Sequence, residues 1–96
     1  MAPRHGVRFT LKLSSQGPEV VYGFAAEAPG RHHEGRVRVV LDSGRVTFED
    51  CDDLPANVAG AMRALLRSLW RPRQSEELPW PRRLQRWRDL DAAPGG

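Results

Sequence analysis

Few side chains in this sequence have the types and spacing that catalysis or ligand binding demands. His32, His33 and Glu34 place three potential metal ligands in succession. Consecutive side chains point in different directions, whereas a zinc site needs ligands that converge. His5, the only other histidine, lies near the N-terminus. The run therefore reads as part of a polar surface loop, with no metal. Glu49, Asp50, Asp52 and Asp53 flank the single cysteine, Cys51. Carboxylates held close and partly desolvated split their pKa values and can do acid–base work. Here they run into a helical pattern, where an aspartate caps the first turn in the favourable field of the helix dipole. The same acids oppose thiolate formation at Cys51, which is expected to be inert. Neither G-x-x-x-x-G-K-S/T nor G-x-G-x-x-G occurs, so both common nucleotide-binding loops are absent. The residues predict no enzyme, no metal, no cofactor and no small-molecule substrate.

One segment stands above that background. Trp70-Arg71-Pro72-Arg73, Trp80-Pro81-Arg82-Arg83 and Arg86-Trp87-Arg88 interleave all three tryptophans with arginines. Rings beside guanidinium groups suit stacking on bases together with contact to phosphates. They equally suit a protein interface, where Trp and Arg are enriched as anchors. A third reading folds the tryptophans into a small core with arginine stems lying over them. Trp87 is expected in that core because Leu84 lies three residues before it. The candidate binding residues are Arg71, Arg73, Trp80, Arg82, Arg83, Arg86, Trp87 and Arg88. Charge follows the same division. Residues 63–96 carry a net +4 and residues 1–62 a net −1, within a total of +3, and all basic residues except Lys12 are arginine. Arginine binds carboxylates and phosphates bidentately, although a chain-wide arginine bias writes the same letters without a binding role.

The elements that must position these side chains follow from periodicity. Residues 7–13 alternate, with Val7, Phe9, Leu11 and Leu13 opposite Arg8, Thr10 and Lys12, which is a half-buried strand. Residues 19–26 form a second strand with Val20, Tyr22 and Phe24 inward, and residues 28–35 read as a loop. Residues 36–50 read as a hairpin turning at Ser43-Gly44, which would oppose Val39 to Phe48 and Arg38 to Glu49. From Leu54 the period changes: Leu54, Val58, Met62, Leu65, Leu66 and Leu69 make one apolar stripe of a helix over 54–71, which Pro72 stops. Residues 72–79 read as an extended linker, Pro81 to about Leu90 as a short second helix, and 92–96 as a disordered tail.

Ninety-six residues suit one domain. The expected fold class is α+β, with two layers: a four-stranded antiparallel meander covered by one amphipathic helix (ββββα), plus a short C-terminal helix. Residues 1–71 form the core domain, and residues 72–91 form the linker and short helix that pack on it or extend from it. No apolar run has the ~18–20 residues of a membrane span. With one cysteine and no secretory leader pattern, the expected location is cytoplasmic. Outward residues Arg8, Thr10, Lys12, Arg36, Arg38, Thr47 and Glu49 are mildly basic, but the sheet's rings fall on the opposite side. The leading expectation is a small non-catalytic interaction module whose partner is itself, as a homodimer, or another protein. A dimer would bury the weakly apolar strip Val21, Gly23, Ala25 and Val40, or pair sheet edges. The alternative is a nucleic-acid-binding protein that places its C-terminal arginines on phosphates.

Overall fold

A computed structural model of the chain describes residues 6–28, 30–51 and 54–89, the last two by their strand pairing. The elements are β1 (Gly6–Ser15), β2 (Glu19–Ala28), β3 (Arg31–Val40), β4 (Arg45–Glu49), α1 (Ala56–Trp70), a 3-10 turn (Pro72–Gln74) and β5 (Arg83–Asp89). One five-stranded sheet runs in the order β4-β3-β2-β1-β5. Every pairing within it is antiparallel. The class is α+β, as the alternating and helical periods imply. The covering element is α1, which joins the β4 edge to the β5 edge.

Alternation decides what each strand buries. Val7, Phe9 and Leu11 of β1, Val20, Tyr22, Phe24 and Ala26 of β2, and Val37 and Val39 of β3 form one apolar face, extended by Val46 of β4 and Leu84 of β5. Val58, Met62 and Leu66 of α1 close it, with Leu54, Ala61, Leu65, Leu69 and Trp70 partly buried beside them. Tyr22, Phe9, Leu11 and Met62 are among the largest fully buried side chains. Full burial of one such apolar group contributes about 1.5–3 kcal/mol. At the helix end, the Trp70 indole donates to the Leu41 carbonyl at 2.8 Å, which ties α1 to the β3–β4 turn.

Four sequence expectations change. Residues 31–35 are not loop but the first half of β3, because Arg31 already pairs with Ala28. Gly30 between them takes a φ of 72°, which a glycine adopts without steric cost. The β3–β4 hairpin turns through residues 41–44 rather than through Ser43-Gly44 alone. Val39 therefore opposes Val46, Val37 opposes Phe48 and Arg38 opposes Thr47. This differs from the expected register by two residues, and a shift of two keeps every side chain on its face.

The helix starts at Ala56 with Pro55 as its N-cap and no side-chain cap; the capping role expected of Asp52 or Asp53 falls outside the described residues. The largest change is C-terminal. Residues 72–74 are a 3-10 turn rather than extended linker, and Arg83–Asp89 is a strand rather than a helix. β5 pairs along β1 from Gly6 opposite Asp89 to Lys12 opposite Arg83. A sheet edge of unpaired backbone groups at β1 outweighs the weak helical signal of two apolar residues three apart. The sheet thus crosses the expected boundary after residue 71, while the 92–96 tail lies outside the described residues.

Candidate binding surface

Pairing of β5 with β1 assembles a surface that neither strand makes alone. Direct antiparallel partners share a face, so Arg8 lies beside Trp87, Thr10 beside Gln85 and Lys12 beside Arg83. All six are exposed on the side away from α1. Trp87 is 45% exposed. Its indole lies across Gly6, where a Cβ would come within 1.8 Å of Cζ2. A glycine at position 6 is what lets the ring lie down on the sheet.

Arg8, Lys12 and Arg83 have no ion-pair partner among the described residues. The other half of the same face is compensated. Arg38 pairs with Glu19 at 2.8 Å and with Glu49 at 3.1 Å. Hydrogen bonds from Arg38 to Glu49 first, then to Glu19, push its pKa above the ordinary value. Arg36 lies 3.6 Å from Asp50, and His32 lies 3.3 Å from Glu34. The uncompensated cations therefore gather on β1 and β5. A shallow depression of about 410 Å³ lies along Thr10, Lys12, Arg83 and Gln85. A neighbouring one of about 420 Å³ is bordered by Lys12, Ser14, Ser15, Gln16, Arg82 and Arg83.

The eight sequence candidates divide. Arg83 and Trp87 lie on this face, and exposed Arg82 borders its end. Arg86 pairs with Phe9 on the helix side, lining a groove with Ala61, Ala64, Leu65 and Ser68. Arg88 pairs with Val7 along the backbone, and Arg71 is exposed at the end of α1.

Trp80 and Arg73 instead belong to the packing. Trp80 is 8% exposed, and its ring centroid lies 6.4 Å from that of Tyr22. The Arg73 guanidinium sits 5.0 Å from the Trp80 ring centroid and donates to the carbonyls of Leu69 and Pro79. The Tyr22 hydroxyl donates to the Pro81 carbonyl at 2.7 Å. Burial pushes the Tyr22 hydroxyl up to about 12, against the opposing pull of the Arg73 charge.

Trp87 is thus not the core residue its spacing from Leu84 suggested. In a strand, positions 84 and 87 fall on opposite faces. Arg8 and Lys12 are the members that the sequence reading left out of the arginine–tryptophan surface. Their place on the outward face was legible, but their adjacency to Trp87 required residues 83–89 to be a strand. Of the acidic and histidine runs, Asp52, Asp53 and His5 lie outside the described residues. His32 and Glu34 point outward while His33 points to the helix side, and no three His, Cys, Asp or Glu side chains are placed to hold a metal among the described residues. Among those residues, no helix is long and apolar enough to cross a membrane.

Comparison of the chain with family models, curated proteins and solved structures finds no match to any of them. The surface must be read from its own chemistry.

Proposed function

We propose that this chain is a small non-catalytic binding module, and that it takes an anionic partner on the outer face of β1 and β5. The observation that carries this reading is the division of charge across one sheet face. Arg36 and Arg38 are matched by acids, whereas Arg8, Lys12 and Arg83 have no ion pair among the described residues, and Arg8 lies beside an exposed tryptophan. Cations left unpaired on one patch raise the local potential and attract counter-charged ligands. Elution from a heparin column tests the patch. The triple variant Arg8→Ala, Lys12→Ala, Arg83→Ala should elute at clearly lower salt than Arg31→Ala, Arg36→Ala, Arg45→Ala, which removes the same charge elsewhere. Equal elution of the two variants would contradict the reading.

Self-association is a second reading, supported by the sheet edges at β4 and β5, which are unpaired among the described residues. Light scattering that gives twice the chain mass supports it, and a monomer mass at high concentration removes it.

A further inference from the structure

Resting on the reading above, we infer that the ligand of the β1–β5 face is single-stranded nucleic acid, with a base stacked on Trp87 and phosphates tracking Arg8, Lys12 and Arg83. Three observations select this anion over others.

The first is the ring. Trp87 lies over Gly6 and remains 45% exposed, so it is seated on backbone on one side and open to solvent on the other. Every base has a π-face, and stacking on such a platform is the sequence-tolerant part of single-strand binding. Bases in a duplex are already stacked on one another and offer no free face.

The second is spacing. Arg8 flanks the ring, while Lys12 and Arg83 lie four residues along the strands, about 13 Å away at the rise of an extended chain. Cations at both ends of one straight track fit a polyanion whose charges are spaced along a backbone. Thr10 and Gln85 stand between them, neutral and side by side. Each can donate and accept hydrogen bonds, as sugar hydroxyls and base edges require. Glu27, opposite Arg8 on β2, is exposed with no ion pair among the described residues, and its charge sets the limit of the track on that side.

The third is composition. Of the side chains at 8, 10, 12, 83, 85 and 87, Trp87 alone is apolar. A protein partner is anchored by a desolvated apolar centre ringed by polar groups, and these six positions offer no such centre.

The test is fluorescence anisotropy with the full chain and a labelled oligothymidylate of about twelve nucleotides, beside a duplex and polyglutamate as competitors. Oligothymidylate should bind, and both competitors should displace it poorly. Trp87→Leu, which still covers Gly6, should weaken binding by about ten-fold or more, while Trp87→Phe retains most of the affinity. With three phosphate contacts, affinity should fall roughly fifteen- to twenty-fold between ~50 and ~200 mM salt. Equal affinity of Trp87→Leu and wild type overturns the inference. So does displacement by polyglutamate or duplex as effective as by unlabelled oligothymidylate, although the anionic-partner reading then stands. If neither the oligonucleotide nor polyglutamate binds at ~50 mM salt, both statements fall.

Discussion

Gly6 and Trp87 depend on each other across two strands. A glycine in a strand, here at the start of β1, is entropically costly and leaves the backbone bare. A cross-strand indole laid over it restores apolar cover without needing to be buried. That is why a large ring stays at the surface here, while Trp70 and Trp80, whose polar or cationic partners lie inside the fold, do not. Tyr22 shows the opposite situation, a polar group held where charge is disfavoured. Its folded-state pKa of about 12 lies above the ordinary tyrosine value of 10.0, chiefly through burial. The unfolded chain therefore loses this proton first as pH rises. The contribution is present in full below pH ~10 and is lost as pH climbs toward ~12, by roughly 2–3 kcal/mol in all. Tyr22→Phe should cost about 1 kcal/mol near neutrality through the lost hydrogen bond to Pro81. Urea midpoints at pH ~8 and ~11 should converge for the two proteins as the wild type weakens. A constant gap across that range would contradict the buried, protonated hydroxyl.

Among the elements, the β3–β4 turn carries the sharpest local constraint. Gly44 has a φ of 73°, and a Cβ there would meet the Trp70 ring at 2.8 Å. Gly44→Ala should cost at least about 1–2 kcal/mol from backbone strain alone, with displacement of Trp70 added to it. Gly17→Ala, with nothing within 4 Å of the new methyl, should be neutral or slightly stabilising. Equal chemical-denaturation midpoints for the two variants would contradict the turn. This element also shows what periodicity can and cannot convey. Faces were legible in β1 and β4 because apolar and polar residues alternate there, and in β2 because the larger side chains Val20, Tyr22 and Phe24 fall on one side. Register was not, since a slip of two residues preserves every face. The first half of β3 was hidden because Arg31, His32, His33 and Glu34 carry no apolar alternation. Only pairing to Ala25–Ala28 makes them a strand. β5 was hidden for a related reason: Leu84 is its single buried side chain among the described ones, so tertiary pairing with β1 decides what local pattern leaves open. The candidate surface inherits that gap, because Arg8 and Lys12 meet Trp87 only in the paired sheet.

Across the whole molecule, the crossover through α1 brings an arginine-rich C-terminal segment onto the strand that begins the described fold. Two consequences follow together. β5 and Trp80 cover the β1 edge and the Tyr22 end of the core, so the C-terminal segment is structural as well as a source of charge. A chain ending at Arg71 should lose cooperative unfolding and aggregate, read by circular dichroism and light scattering. A folded, soluble truncated monomer would contradict a structural role for β5 and Trp80. The second consequence is that the acids near β3 and β4 neutralise one half of the outer face and leave the other half cationic, which is the central claim about function. Its most direct measurement is a titration of the isotopically labelled full chain with oligothymidylate, followed by amide chemical shifts. The predicted result is a set of perturbed amides confined to Gly6, Arg8, Thr10, Lys12, Arg83, Gln85 and Trp87, growing with ligand and receding with added salt. Perturbations centred on α1 or on β3 and β4, with the β1–β5 amides unmoved, would contradict it.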